Sequence, residues 1–224
     1  WGKKGLRIQQ TNTLVPTIYN GELFDKNAGT VIPNNIFDLP TLYCYTQKSE
    51  YNDEVRKIDQ ALKVTVKTLL KIPFDQKYWT KVANLEFPHG LPLPYTNDPT
   101  QWIFHGHPCG SVIWDGEAKW TANGKLRVDA SVLQVATARL LGYRWPAELD
   151  PEMELAEEQR AWVERCDELL GDLVDDDGIV CVPALRSEGA AAHRLELMLE
   201  AAYGDQWSNT IRDQLLTSVG AKSL

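Results

Sequence analysis

The pattern of apolar and polar positions changes along the chain. Through the first 48 residues, short β-branched runs alternate with Thr, Asn, Gln and Gly. Leu14–Tyr19 and Thr30–Pro33 read as short strands between turns, and Asn20-Gly21 as a turn signal. At Ser49 the period becomes helical. Tyr51, Val55, Ile58 and Leu62 fall at i, i+4, i+7 and i+11, one apolar stripe behind a capping Ser49. Asp53, Glu54, Arg56, Lys57 and Asp59 fill the opposite, solvated face. Val64–Pro73 reads as a strand ended by its proline. Asp75–Leu85 reads as a short helix with Trp79 and Val82 turned inward.

Periodicity then fades. Residues 86–128 are punctuated by prolines and glycines, with Trp102, Trp114 and Trp120 interleaved. So many aromatics indicate an ordered, loop-rich connector rather than a disordered linker. Beyond it the pattern is helical. Asp129–Gly142 opens on a capping Asp, carries Val132, Leu133, Ala136 and Leu140, and stops at glycine. Asp150-Pro151 predicts a cap with proline at the first helical position. The helix it opens would run to about Leu170 and bury Leu155, Trp162, Cys166 and Leu169. Asp175-Asp176-Asp177-Gly178 reads as a turn, Ile179–Val182 as a short strand, and Ser187 and Ser208 as starts of two more helices. The expected class is α+β: a small-sheet domain over 1–85, the connector over 86–128, and a mainly helical domain over 129–224.

Composition is that of an ordinary globular protein, with 43% hydrophobic and 24% charged residues. No apolar run is long enough to span a bilayer, and Trp1–Arg7 is charged with no apolar stretch behind it, unlike a signal peptide. The chain opens on Trp1 rather than Met, so a piece of a longer protein is expected. Four widely spaced cysteines, Cys44, Cys109, Cys166 and Cys181, form no CxxC pair and suit reduced thiols in a cytoplasmic protein. The net charge of −8 argues against a generic nucleic-acid binder, but it is unevenly spread. Residues 1–100 hold 12 Lys/Arg against 10 Asp/Glu, the remainder 11 against 21. A part that meets phosphates is therefore expected in the first half.

Candidate chemistry is sparse. His105-Gly106-His107-Pro108-Cys109 places three metal-ligand types within five residues. A zinc site needs four converging ligands, usually from two segments, and no second pair is present. A turn whose histidines bond the backbone is the favoured reading. The Asp175–Asp177 run lacks the alternation and distant Glu of a calcium loop. The carboxylates of 151–170 read as a solvated helix face rather than a glycosidase pair. No nucleophile elbow, phosphate loop or dinucleotide fingerprint occurs. At the start, Gly2-Lys3-Lys4-Gly5 offers backbone N–H groups and two ammonium groups to phosphate oxygens. Arg7, Gln9, Gln10 and Asn12 follow; Arg forks onto guanine, and Gln or Asn onto adenine, in the major groove. A polar edge strand is the alternative for each. The eight tryptophans suit packing first and base or sugar stacking second.

Several stretches resemble one family. Trp1-Gly2-Lys3-Lys4-Gly5-Leu6 is similar to the segment that follows the catalytic domain in large bacterial adenine-specific DNA methyltransferases of restriction and phage-defence systems, the type IIG-like, BREX-like and DISARM-like enzymes. Glu50–Asp59 resembles a helix of those proteins, Lys67–Asp75 a strand closing their target-recognition unit, Asp98–Pro108 their connector and Leu133–Pro146 a helix-turn. The resemblance implies a target-recognition domain over 1–85 that reads double-stranded DNA, with Lys3, Lys4, Arg7, Gln9, Gln10 and Asn12 as candidate contacts. It implies a parent enzyme that transfers a methyl group from S-adenosylmethionine to adenine N6 after flipping the base. The family's Asn/Asp-Pro-Pro-Tyr/Phe motif is absent, since the sequence contains no Pro-Pro, and so is the glycine-rich cofactor loop. No catalytic or cofactor-binding residue therefore carries over, and the expected partners are DNA and a catalytic domain of the same polypeptide. Two readings compete with this one. The first is a protein-interaction scaffold, suggested by the acidic second half. The second is a carbohydrate-binding or hydrolytic domain, suggested by the tryptophans and carboxylates.

Overall fold

The computed structural model describes residues 2–23 and 26–223; Trp1 of the opening motif lies outside them. The fold is α+β, and the chain divides into two compact units, Trp1–Leu91 and Pro92–Leu224. The division falls inside the segment read as a connector.

The first unit is built on a three-stranded antiparallel sheet, β1 (Gly5–Gln9), β2 (Pro16–Tyr19) and β3 (Ala28–Val31), with β1 central. Arg7 pairs with Thr17 on one side and Thr30 on the other. Alternation along β1 sends Leu6 and Ile8 inward. There they meet Leu39 and Tyr45 of α1 (Leu39–Thr46), Tyr51 and Val55 of α2 (Ser49–Ile58), and Val64, Leu69 and Ile72. α4 (Gln76–Glu86) starts at Asp75, whose carboxylate accepts the Tyr78 N–H at 3.0 Å. It is tied to α1 by Thr41–Thr80 hydroxyls at 3.4 Å. Leu14 is not in a strand. It sits at φ 51°, a left-handed turn that buries its side chain before β2 begins.

Two expectations fail here. The α2 stripe stops at Val55, because Asp59 leaves the helix and Ile58 and Leu62 are 52% and 80% exposed. Val64–Pro73 is not a strand but contains a helical turn, α3 (Val66–Leu69). The Asp59 carboxylate accepts the Ala61 N–H, the Thr65 N–H at 3.1 Å and the Thr68 hydroxyl at 3.2 Å. These local side-chain bonds outweigh the strand preference of a Val-Thr-Val run. α1 was not foreseen; a 3-10 turn over Ile36–Asp38, capped by Asn35, leads into it.

The second unit begins inside the Pro/Gly/Trp-rich stretch. That stretch supplies an antiparallel hairpin, β4 (Val112–Asp115) and β5 (Trp120–Asn123), and an unbroken buried run from Ile103 to Val112. Around it lie α5 (Ala130–Leu140), α6 (Pro146–Leu149), α7 (Glu157–Leu170), α8 (Ala191–Tyr203) and α9 (Asn209–Ser218). Cys109, Val132, Ala136, Leu140, Cys166, Leu170, Met198 and Leu215 form its main core. Asp129 caps α5 through the Ser131 N–H at 2.9 Å, and Gly142 at φ 84° follows its end.

Asp150-Pro151 does not open a helix. Asp150 closes α6, its carboxylate turns the chain by accepting the Glu152 N–H, and Arg160 holds the following loop through the Ala147 and Met153 carbonyls. α7 starts only at Glu157, six residues later, and its buried stripe of Trp162, Val163, Cys166 and Leu170 leaves Leu169 exposed. Ile179–Val182 is not a strand either. The Ile179 N–H goes to the Asp175 and Asp177 carboxylates and the Cys181 N–H to Glu188, so side chains take the bonds a ladder would use. α8 begins at Ala191, later than Ser187 suggested.

Candidate functional site

In the first unit, Arg7 and Gln9 alternate out of β1, so they share the outer sheet face with Thr17 and Thr30, the cross-strand partners of Arg7. Gln9 is exposed and its amide donates to the Thr11 hydroxyl at 3.1 Å. Lys3 and Lys4 are exposed just ahead of the strand. With Asn34, Asn35 and the Ile32–Pro33 segment they border an open depression of about 860 Å³. Asn35 is already engaged, accepting the Phe37 N–H at 3.1 Å. Asn12 is exposed in a left-handed turn at φ 55°, and its carbonyl accepts from Arg56 at 2.9 Å.

Gln10 stands apart from the other candidates. It is 6% exposed, and its amide donates to the Val64 carbonyl at 2.6 Å. Its backbone N–H bonds Asn27, and its carbonyl accepts the Val64 N–H. It fastens the sheet to the Val64 segment and presents nothing to a base. The period-two rule predicts as much: Gln10 shares its face with Ile8 and Leu6. The same rule identifies Thr17 and Thr30, which reading β1 alone had missed.

In the second unit, the His105–Cys109 turn is entirely buried. His105 Nδ1 accepts the His107 N–H at 2.9 Å, and His107 Nδ1 accepts the Gly110 N–H at 3.0 Å. Backbone N–H groups thus occupy one nitrogen of each ring. Burial first, then Arg139 and Arg165, push His107 down to about 3; burial and the charge of its neighbours hold His105 well below the usual histidine range. Burial raises the Cys109 thiol to about 12.

Arg139, fully buried, clamps this turn. Its guanidinium donates to the Gly106 carbonyl at 3.1 and 2.9 Å and to Glu148 at 2.8 Å, with Trp145 stacked at 5.3 Å. Gly106, at φ 75°, cannot be replaced, since a Cβ would lie 2.5 Å from Arg139 Nη2 and 2.6 Å from the Trp145 ring.

Among the described residues, Asp175, Asp176 and Asp177 are the one grouping of potential metal ligands. Asp175 is spent on Arg194 and on the Asp177 and Ile179 N–H groups. Trp145 and Trp162 are packed inside, while Trp102 is 62% exposed. No family model, no curated protein and no solved structure matches this chain.

Proposed function

We propose that the chain is the DNA-reading part of an adenine-specific, S-adenosylmethionine-dependent DNA methyltransferase of a restriction or phage-defence system, its catalytic domain lying elsewhere in the same polypeptide. One observation in the first unit carries the DNA-binding reading. Arg7 and Gln9 project from one sheet face beside a lysine pair, in a unit with 12 Lys/Arg against 9 Asp/Glu. A small antiparallel sheet fits the major groove, where Arg and Gln read base edges and lysines meet phosphates. The methyltransferase assignment rests on the sequence resemblance alone.

Selection from a random duplex library, followed by anisotropy titration of the chosen site, tests the reading. K3A/K4A should weaken binding to all sequences alike, and R7A or Q9A should relax preference at individual base pairs. Failure to bind any duplex at low salt would sink the proposal.

A second reading has its own observation. The unit Pro92–Leu224 holds 11 Lys/Arg against 22 Asp/Glu, a charge that repels DNA and suits a protein-interaction scaffold. Sequence choice unaltered by removing residues 92–224, with complex assembly lost, supports it; a changed recognition sequence counts against it.

A further inference from the structure

The helices of the first unit do not completely fill the space against the sheet. A cavity of about 170 Å³ remains between β1, β3, α1 and the stretch that follows α3. Its wall runs from the fully buried Leu6 and Ile8 of β1, past Leu42 and Ile72, to Leu70 and Phe74, which are 63% and 36% exposed. The cavity therefore opens to solvent at Leu70 and Phe74. The gap is local rather than a sign of loose packing. Beside it α3 presses on β3, where a Cβ on Gly29 would lie 3.0 Å from Val66 and 3.2 Å from Leu69. Leu6 and Ile8 point away from Arg7 and Gln9, so the cavity lies behind the sheet face proposed to read DNA.

The wall is almost wholly apolar. Three hydroxyl side chains border the cavity, and each is already bonded. Tyr45 donates to the Pro73 carbonyl at 2.9 Å, Tyr51 to the Leu69 carbonyl at 3.2 Å and Thr46 to the Leu42 carbonyl at 2.9 Å. A polar group entering would give up its hydrogen bonds to water and find none in return. An apolar group gains by leaving water, and a dry apolar cavity of about 150 Å³ takes a ring the size of benzene. The surroundings of the opening are basic. Lys67, in α3, and Lys71, next to Leu70, are both exposed, and neither ammonium group has a partner among the described residues. The acids closest in sequence are engaged: Asp59 holds Ala61, Thr65 and Thr68, and Asp75 caps α4. A charged end left at the mouth of the cavity is therefore best matched when it is anionic.

We propose that this cavity binds a small amphiphilic carboxylate, with its ring or chain of about six carbons inside and its carboxylate at the mouth beside Lys67 and Lys71. The site belongs to the first unit alone and does not depend on what the opposite sheet face binds.

Methyl NMR on the full chain tests it, with hexanoate, hexanol and acetate as separate probes at constant ionic strength. The Ile72 δ1 methyl, assigned by its loss in I72V, is the reporter, and the methyls of the second unit are the control. Hexanoate and hexanol should both shift the reporter saturably, and acetate, which has the head without the chain, should not. Hexanoate should bind about threefold tighter than hexanol, and K67Q/K71Q should remove that advantage while leaving hexanol binding unchanged. No saturable shift from hexanoate at tens of millimolar, an equal shift from acetate, or matching saturation at the methyls of the second unit would each overturn the site. Equal affinity for hexanoate and hexanol, or a preference that survives K67Q/K71Q, would overturn the carboxylate assignment.

Discussion

At the residue scale, Arg139 and the two buried histidines impose the strictest demands. Arg139 and Glu148 have fully buried side chains 2.8 Å apart, and the Gly106 carbonyl and Trp145 N–H share the pair. Removing one partner strands the other. R139A or E148A should each cost about 3–5 kcal/mol, read from urea unfolding. The double variant should cost less than the sum, because one loss already breaks the shared network.

The histidines make stability depend on pH. Unfolded histidine titrates near ~6.5; folded His107 titrates at about 3, and folded His105 lies well below its usual value. Below pH ~6.5 the unfolded chain binds protons that the folded chain refuses, so stability falls as pH falls from there toward 3. The slope reaches about 1.4 kcal/mol per pH unit for each ring. Carboxylates contribute only near and below pH ~4. Urea midpoints between pH 6.5 and 4.5 should therefore decline, and H107Q should remove about half of that decline. A flat profile in the wild type would contradict the burial of both rings.

The sequence disclosed the backbone-bonding turn at these histidines, since no second ligand pair accompanied them. It did not disclose that the Trp162 ring packs on His107, with centroids 4.5 Å apart. Trp162 lies 55 residues from His107, and only the tertiary fold brings an α7 side chain onto the turn.

At the element scale, the legible pieces are those with their own punctuation. Asp129 caps the helix it announced, and Asp75 and Ser208, where two other expected helices begin, cap theirs as well; Ser49 does not, since it lies inside α2 and its hydroxyl turns to the Glu50 carboxylate. D129A should lower stability by about 1 kcal/mol, visible as a reduced thermal midpoint. The illegible pieces are those where a side chain claimed backbone groups at a distance. Asp59 reaches six residues ahead to the Thr65 N–H and turns a strand-like run into α3, and Arg160 holds open the loop that Asp150-Pro151 had suggested as helix. D59N weakens the acceptor, so amide hydrogen exchange at Thr65–Leu69 should rise while β1 stays protected. Unchanged protection would show that α3 is held by Leu69 packing instead.

At the scale of the molecule, the change from strand to helix period was legible, but the boundary was not placed where compactness puts it. Prolines and glycines after residue 86 suggested a separate connector. Ile103, Phe104 and Cys109 inside it are buried core, and everything from Pro92 belongs to the second unit. Each unit carries its own core, so residues 1–91 and 92–224 expressed separately should each unfold cooperatively. Moving the division to Leu91 sharpens the charge contrast to +3 against −11. If the first unit binds duplex DNA, K3A/K4A should reduce the slope of log K against log salt by about 2.

The thiols, finally, have a practical consequence. Burial pushes Cys44, Cys109 and Cys166 up to about 12, and the Glu188 carboxylate also raises Cys181. A thiol of that kind is almost wholly protonated at neutral pH and does not attack alkylating reagents until its surroundings open. Cys44 belongs to the first unit, and Cys109 and Cys166 to the second. The protein thus comes with native clocks. Pulsed alkylation followed by peptide mass spectrometry would time the opening of each unit separately, with no engineered label.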